Sequence, residues 1–354
     1  MRITILFSAC FFLGISGTPV ASESAIERLS GQGVCRDCDL KGADLRMMNL
    51  SGADLRGAVL DHAILYNTDL SGARLEGASL KGVSFGRANL SGAGLRGQSL
   101  WRGRFSQANL SGADLRNADL REANFKGANL SGADLSGANL TSALLSGSQL
   151  DGALLKDAML DKADLRGLDL SRVSSVSNAS FKGADLRYAN LSGLALNNID
   201  FSEAKLLKAD MTNARLAHAL FVDAELKKTV LIGSDLRYAS LKGSRLHGAK
   251  LMGARLQGAL LDGVQISGNL INIDFSEATI VRASLNGANL KDANFRDARL
   301  EFTDLESANL YAADFTGARL HRCNLRKANL REAVLDGVDL TGNLLDGAIG
   351  LNPK

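Results

Sequence analysis

Residues 108–140 read ANLSGADLRNADLREANFKGANLSGADLSGANL, and the spacing of one residue type in this stretch decides the fold. Leu or Phe stands at every fifth position: Leu110, Leu115, Leu120, Phe125, Leu130, Leu135 and Leu140. Working outward, the rule holds without a break from Leu40 to Leu170. Two residues before each of these comes a small residue, usually Ala, as at Ala43, Ala53 and Ala58. Two residues after it comes Gly most often, as at Gly42, Gly52 and Gly57. Asp or Asn usually precedes the Leu, and Ser, Arg or Lys usually follows it.

A period of five fits no straight element. In a strand, side chains alternate faces, so an odd period flips the Leu at every repeat. In a helix, five residues advance roughly 140°, which scatters the Leu around all sides. Only a chain that bends within every repeat keeps each Leu inside, and Gly relieves the backbone at such a bend. The expected body is a solenoid whose coils touch only their neighbours.

A second period counts the sides. Phe85, Phe105 and Phe125 are 20 apart, as are Phe181, Phe201 and Phe221, and then Phe275, Phe295 and Phe315. Twenty residues per coil means four sides, with each trio stacking its rings one coil apart. The repeats run as Leu40–Leu170, Phe181–Ile266 and Phe275–Leu345. They amount to about 15 coils, or roughly 72 Å at the strand spacing of about 4.8 Å. Between Leu170 and Phe181 the register gains one residue, and between Ile266 and Phe275 it loses one. Each break reads as a bulge or bend. A recognition loop around Ser174 is the functional alternative.

The ends read differently. Residues 1–22 read as a secretory signal: Arg2, an apolar run from Ile3 to Ile15, then small residues, with cleavage near Ala21 or Ser22. The run is too short for a comfortable membrane span, so no integral span is expected in the mature chain. The expected location is periplasmic or secreted. Residues 23–37 form an N-terminal cap with a short helix, in which Ser24 and Glu27 have capping-box spacing, Ala25, Ile26 and Leu29 cover the first coil, and the helix stops near Gly31. The repeat body spans 38–347, with register breaks near 171–180 and 266–275, and 348–354 is a C-terminal tail.

Few residues point to chemistry. Cys35 and Cys38 replace inward residues of the repeat and lack the second ligand pair of a zinc site, so a structural disulfide or buried thiols is expected. His62, His218, His247 and His321 are scattered on outward slots, and no metal site is expected. Asp114 and Asp134 stack one coil apart as members of a solvated ladder. No nucleophile, base and orienting group converge, so no catalytic residue, no cofactor and no enzyme activity are expected. A net charge of +3 gives no field to attract nucleic acid, and no nucleic-acid partner is expected. The remaining hint is large apolar residues on outward slots: Tyr66, Trp101, Tyr188, Tyr238, Phe302 and Tyr311. Leu144, Leu154 and Met159 stand in the Asp/Asn slot. Together they form a candidate contact patch for a protein partner.

The unit Ala53-Asp54-Leu55-Arg56-Gly57, or Ala128-Asn129-Leu130-Ser131-Gly132, resembles the A(D/N)LXX unit of the pentapeptide-repeat family across about residues 38–347. The resemblance implies an all-β, right-handed quadrilateral parallel β-helix. It also implies a non-enzymatic structural or interaction scaffold, here in the bacterial envelope. Gyrase-protecting members dimerise through their C-terminal ends, so an end-to-end homodimer is a further expectation. The alternative reading, a DNA-mimicking topoisomerase protector, sits poorly with the near-neutral charge and the export signal.

Overall fold

The computed structural model describes residues 23–351; the signal-peptide reading of residues 1–22 and the last residues, 352–354, lie outside them. From Val34 to Ile349 the chain winds as a four-sided parallel β-helix. Most residues ahead of an inward Leu pair with their equivalents one coil on, as Asn89↔Asn109↔Asn129 on one side and Gly94↔Asp114↔Asp134 on the next. Four walls result. Wall A carries Leu60, Leu80 and Leu100 inward; wall B Leu65, Phe85 and Phe105; wall C Leu70, Leu90 and Leu110; wall D Leu75, Leu95 and Leu115. These side chains and the Ala between them are almost entirely buried.

The hydrogen bonding explains the five-residue unit. Leu110 N–H donates to Asn129 O at 2.7 Å, toward the next coil, and Asn109 N–H donates to Ala88 O at 2.9 Å, toward the previous one. Ala113 N–H donates to Leu110 O at 3.1 Å and closes the corner. The corner puts its second residue in the left-handed region, φ 64° at Gly112, which Gly adopts at no steric cost. Where Gly is missing another residue takes that conformation, as at Asn117 with φ 56°. The Asp/Asn preference has its own cause. Asn109 Oδ1 accepts from Ser111 N–H at 3.2 Å, an Asx turn that satisfies a corner donor.

The three Phe trios stack on three different walls. Ring centroids are 5.1 and 4.8 Å apart in Phe85–Phe105–Phe125, 5.3 and 5.2 Å in Phe181–Phe201–Phe221, and 5.3 and 4.7 Å in Phe275–Phe295–Phe315.

At the first register change the extra residue is Ser174, which precedes Ser175 where Ser175 pairs with Leu154. Ser174 Oγ donates to Gly152 O at 2.9 Å, so the insertion is a local bulge fastened to the coil beneath. At the second, the corner after Ile266 is one residue shorter, and Gly268 takes φ 105°, open only to Gly. Beyond it, β1 (Thr279–Val281), β2 (Arg299–Glu301) and β3 (Arg319–His321) form a parallel sheet on wall A in unbroken 20-residue register.

At the N-terminal end α1 (Glu23–Gln32) buries Ala25 and Leu29 over the first coil. Two details of the sequence reading change. Ser24 lies inside α1 and not at the position ahead of it. The helix also continues past Gly31 and ends where Gly33, φ 65°, donates to Leu29 O at 3.1 Å, because a left-handed residue stops a helix more firmly than an α-helical Gly does. Cys35 and Cys38 lie buried beneath this cap and are joined by a disulfide. The C-terminal end differs. Leu335, Val338, Leu340, Leu345, Ala348 and Leu351 are only partly buried, and no helix covers them among the described residues.

Candidate interaction surface

The outward surface is a grid of compensated charges. Arg116 Nε and Nη2 reach Asp114 Oδ1 and Oδ2 at 2.8 and 2.6 Å, and Arg116 Nε lies 3.6 Å from Asp134 in the next coil. The same fork, from an Arg two residues after an Asp, recurs at Asp44, Asp119, Asp164 and Asp235. In each, the guanidinium holds the carboxyl below its ordinary pKa, against the opposing effect of burial. Asp54 goes lowest, held chiefly by Arg56, with Arg36 at 2.6 Å adding to it. On wall C the ladder is neutral: Asn109 Nδ2 donates to Asn89 Oδ1 at 3.0 Å, and Asn129 Nδ2 to Asn109 Oδ1 at 3.2 Å. Asp114 and Asp134, stacked one coil apart, thus share the Arg116 guanidinium.

Nor do the scattered candidates converge. All four His are exposed and on separate coils; His218 stacks on Tyr238 at 5.2 Å and His321 meets Phe302 edge-on at 5.9 Å. No group of His, Cys, Asp and Glu that could hold a metal occurs among the described residues. Cys323 is buried, and burial pushes its thiol up in pKa. No helix among the described residues is long and apolar enough to cross a membrane.

The apolar outward residues are distributed over the rod and do not form one patch. Tyr188 and Tyr238 sit on corners of opposite walls, Phe302 lies on the wall A corner beyond β2, and Tyr311 follows the inward Leu310 of wall C. Leu154 and Met159 occupy the adjoining walls D and A. Leu154 and Leu144 are half-buried against their ladder neighbours, less exposed than an outward slot suggests. Most aromatic rings carry a cation: Arg87 over Tyr66 at 5.9 Å, Arg102 over Trp101 at 4.5 Å, Lys208 over Tyr188 at 5.5 Å, and Arg282 and Arg322 over Phe302 at 5.9 and 5.8 Å.

One group does come together, around wall B. Trp101 stands on one corner of that wall and Tyr66 on the other, with the ladder Ser84–Arg104–Asn124–Leu144 between them. Two clefts flank Arg104. One, of about 430 Å³, takes in His62, Lys81, Trp101 and Arg102; the other, of about 360 Å³, takes in Tyr66 and Arg87. Sequence reasoning found the two aromatics but not Arg104 between them. It also passed over Ile64, Leu220, Leu260 and Met252, all exposed. Ile64, Leu220 and Leu260 replace Asp or Asn ahead of an inward residue, the same signal that selected Leu144.

The pentapeptide-repeat family model matches the chain over 35–72, 68–97, 104–137, 138–174, 174–202, 209–248, 231–268, 273–310 and 303–342. The chain therefore belongs to the pentapeptide-repeat family, whose fold is the right-handed quadrilateral β-helix described above. Among solved structures it is similar to HetL, a pentapeptide repeat protein involved in heterocyst differentiation regulation in the cyanobacterium Nostoc sp. strain PCC 7120. The two are 31% identical over 68% of this chain and 97% of that one, with a TM-score of 0.31. It is similar to Rfr23 of the cyanobacterium Cyanothece 51142 at 30% identity over 39% of this chain and 94% of that one, TM-score 0.27. QnrB1, a plasmid-mediated fluoroquinolone resistance protein, is 18% identical over 73% of this chain and 92% of that one, TM-score 0.22. No match was found among curated proteins.

Proposed function

We propose that this chain is a non-enzymatic interaction scaffold of the bacterial envelope, periplasmic or secreted, released from its leader near Ala21 or Ser22. The observation that carries the interaction reading is the pair of exposed aromatics, Tyr66 and Trp101, held on a rigid grid of backbone ladders. Aromatic anchors on a surface that does not have to order itself lose little entropy on binding a protein. A disulfide at the cap suits an oxidising compartment. The uncovered last coil, with Leu340 and Leu345 half-exposed, favours a second copy of the chain as an additional partner, docked end to end. The topoisomerase-protecting alternative needs an acidic surface to imitate DNA, and a net charge of +3 argues against it.

Fractionation of the native host, with N-terminal sequencing, tests the location. A full-length chain in the cytosol would sink the envelope reading. Crosslinking in the native host, repeated with Tyr66→Ala/Trp101→Ala, tests the surface: loss of a crosslinked partner with an unchanged melting profile is expected, and an unchanged crosslinking pattern refutes the assignment. Sedimentation across a concentration series tests the end contact. A dimer that persists in Leu340→Asp/Leu345→Asp would place the contact elsewhere.

A further inference from the structure

The coils are zipped together almost everywhere, and on wall A two breaks have no register change to explain them; the first lies between the coils of Leu80 and Leu100. On wall A, Leu60 N–H donates to Ser79 O at 2.8 Å and His62 N–H to Lys81 O at 2.7 Å; two coils on, Leu100 N–H donates to Asp119 O at 2.8 Å and Arg102 N–H to Arg121 O at 2.9 Å. Between those coils the pattern fails. Among the described residues Leu80, Gly82 and Ser99 N–H find no hydrogen-bond acceptor, and Ser79 does not pair with Ser99. The coil of Leu100 is joined to the coil above it and splayed from the coil below.

Gln98 explains the splay. It fills the slot that Ala normally holds, and its Nε2 donates to Leu75 O at 2.5 Å. Thr68, Thr229 and Thr303 make the same inward bond from the same slot with a shorter side chain, and their own wall pairings stay closed. Gln is longer and props the two coils apart.

The opening is the cleft of about 430 Å³ beside Arg104, lined by Lys81, Gly82, Ser99, Trp101 and Arg102. Its chemistry is that of an anion site. Three backbone donors that elsewhere face the adjacent coil have lost their acceptors. Among the described residues the Arg104 guanidinium has no hydrogen bond or ion pair, in contrast to the forked Arg166 and Arg187 farther along the same wall. The carboxylates nearby are engaged: Asp61 accepts from Ser79 Oγ at 2.5 Å and from Lys81 N–H at 3.1 Å, and Glu122 accepts from Arg102 at 2.7 Å and from Trp101 Nε1 at 3.4 Å. Over wall B and its corners (61–67, 81–87, 101–107 and 121–127) six basic residues face two acidic ones. That local +4 exceeds the +3 of the entire chain. The Trp101 indole remains 50% exposed even with Arg102 over it, leaving apolar surface beside the donors.

We propose that the seam between Leu80 and Leu100 binds a small oxyanion carried on a flat ring, an aryl phosphate or an aryl carboxylate. The anionic group takes the Gly82 and Ser99 N–H donors and Arg104, and the ring lies against Trp101. The cleft is within the size range of small-molecule sites. A second unzipped place on wall A, between β3 and the last coil, has a cleft of about 420 Å³, but there Glu301 and Asp339 offset Arg299 and Arg319, with Arg299 already bonded to Glu301, so it lacks the excess positive charge of the Leu80–Leu100 seam. The seam shares Trp101 with the proposed protein-contact surface, but its ligand is tested without a protein partner and irrespective of where the chain resides.

Trp101 is the single Trp of the chain, so fluorescence excited beyond the absorption band of the Tyr residues reports this site alone. Phenyl phosphate and benzoate are titrated separately, with inorganic phosphate and neutral phenol as controls, and amide shifts of Gly82 and Ser99 are followed by NMR. Saturable binding of at least one aryl anion is expected, and the tighter of the two names the anionic group. Arg104→Gln should weaken it roughly tenfold or more, the scale of a hydrogen bond to a charged group. Gln98→Ala, which restores the usual small residue, should close the seam and abolish binding while the fold persists. An equal response to phenol, inorganic phosphate binding as tightly as phenyl phosphate, no saturation by either aryl anion, or undiminished binding in Gln98→Ala would each overturn the proposal.

Discussion

Replacing Phe105 by Leu removes one ring from the middle of a stack and little else. The side chain is fully buried, and its centroid lies 5.1 Å from Phe85 and 4.8 Å from Phe125. Leu already occupies the same wall slot at both ends of the trio, at Leu65 and Leu145, so the wall accepts it without strain. Each stacked pair contributes about 0.5–1.5 kcal/mol beyond burial. Phe105→Leu therefore loses two pairs, about 1–3 kcal/mol, plus the cost of a smaller side chain. Phe85→Leu loses one pair and the same volume, so the difference between the two variants isolates one ring contact. A repeat array need not melt as one unit, and a single Tm would blur the comparison. Native-state hydrogen exchange at the amides of residues 85, 105 and 125 reads the local free energy instead; the first two donate to Arg104 O and Asn124 O, both at 2.8 Å. Equal losses in the two variants, or a loss confined to neither, would refute the claim that stacking adds to burial here.

Gly132→Ala should cost about 1 kcal/mol by urea unfolding: φ is 67°, and the nearest atom to an added Cβ is Gly112 N at 3.9 Å, so the penalty is backbone strain alone. The forked Asp residues, with pKa lowered in the folded state, contribute stability that is complete above the unfolded value near about 4 and is lost as pH falls through the lower folded values. Tm should thus be flat from neutral pH to about 5 and decline below about 4; a Tm that climbs on acidification contradicts the ladder reading. Reducing the Cys35–Cys38 disulfide, which closes a very short loop, should cost at most about 2 kcal/mol. Hydrogen exchange should speed up in α1 and the first coil only, and faster exchange on the walls beyond would show that the cap controls the entire rod.

The five-residue spacing of Leu and the 20-residue spacing of Phe were sufficient to derive a four-sided coil, because both report which side chains must be inside together. Handedness was not derivable this way, since a mirror coil has the same periods. The corner chemistry was only half legible. Gly after each Leu signalled a bend, but the Asx bond from Ser111 N–H to Asn109 Oδ1 lay hidden behind what looked like a generic polar slot. The candidate surface was legible at Tyr66 and Trp101, which break an outward pattern. Arg104 was not, because Arg is an ordinary outward residue and becomes unusual only when its neighbours Ser84 and Asn124 leave it without a carboxylate.

Gln98 shows where the informative deviations in such a rod lie. An outward substitution changes one point of a grid whose other points stay fixed, so Tyr188 or Tyr311 alters what the wall displays and nothing about the wall. An inward substitution acts on the spacing of coils. Ala tolerates close approach, Thr fits by bonding the carbonyl beneath it, and Gln exceeds the space and parts the ladder. The insertion at Ser174 and the short corner at Gly268 also interrupt pairing nearby, yet there the chain rejoins within a coil because one residue more or less is absorbed at a corner. The Leu80–Leu100 seam has no such length change to absorb. Its unpaired donors persist because a buried side chain holds them apart, which makes the small-residue slot, and not the exposed surface, the first place to look for function in a helix of this kind.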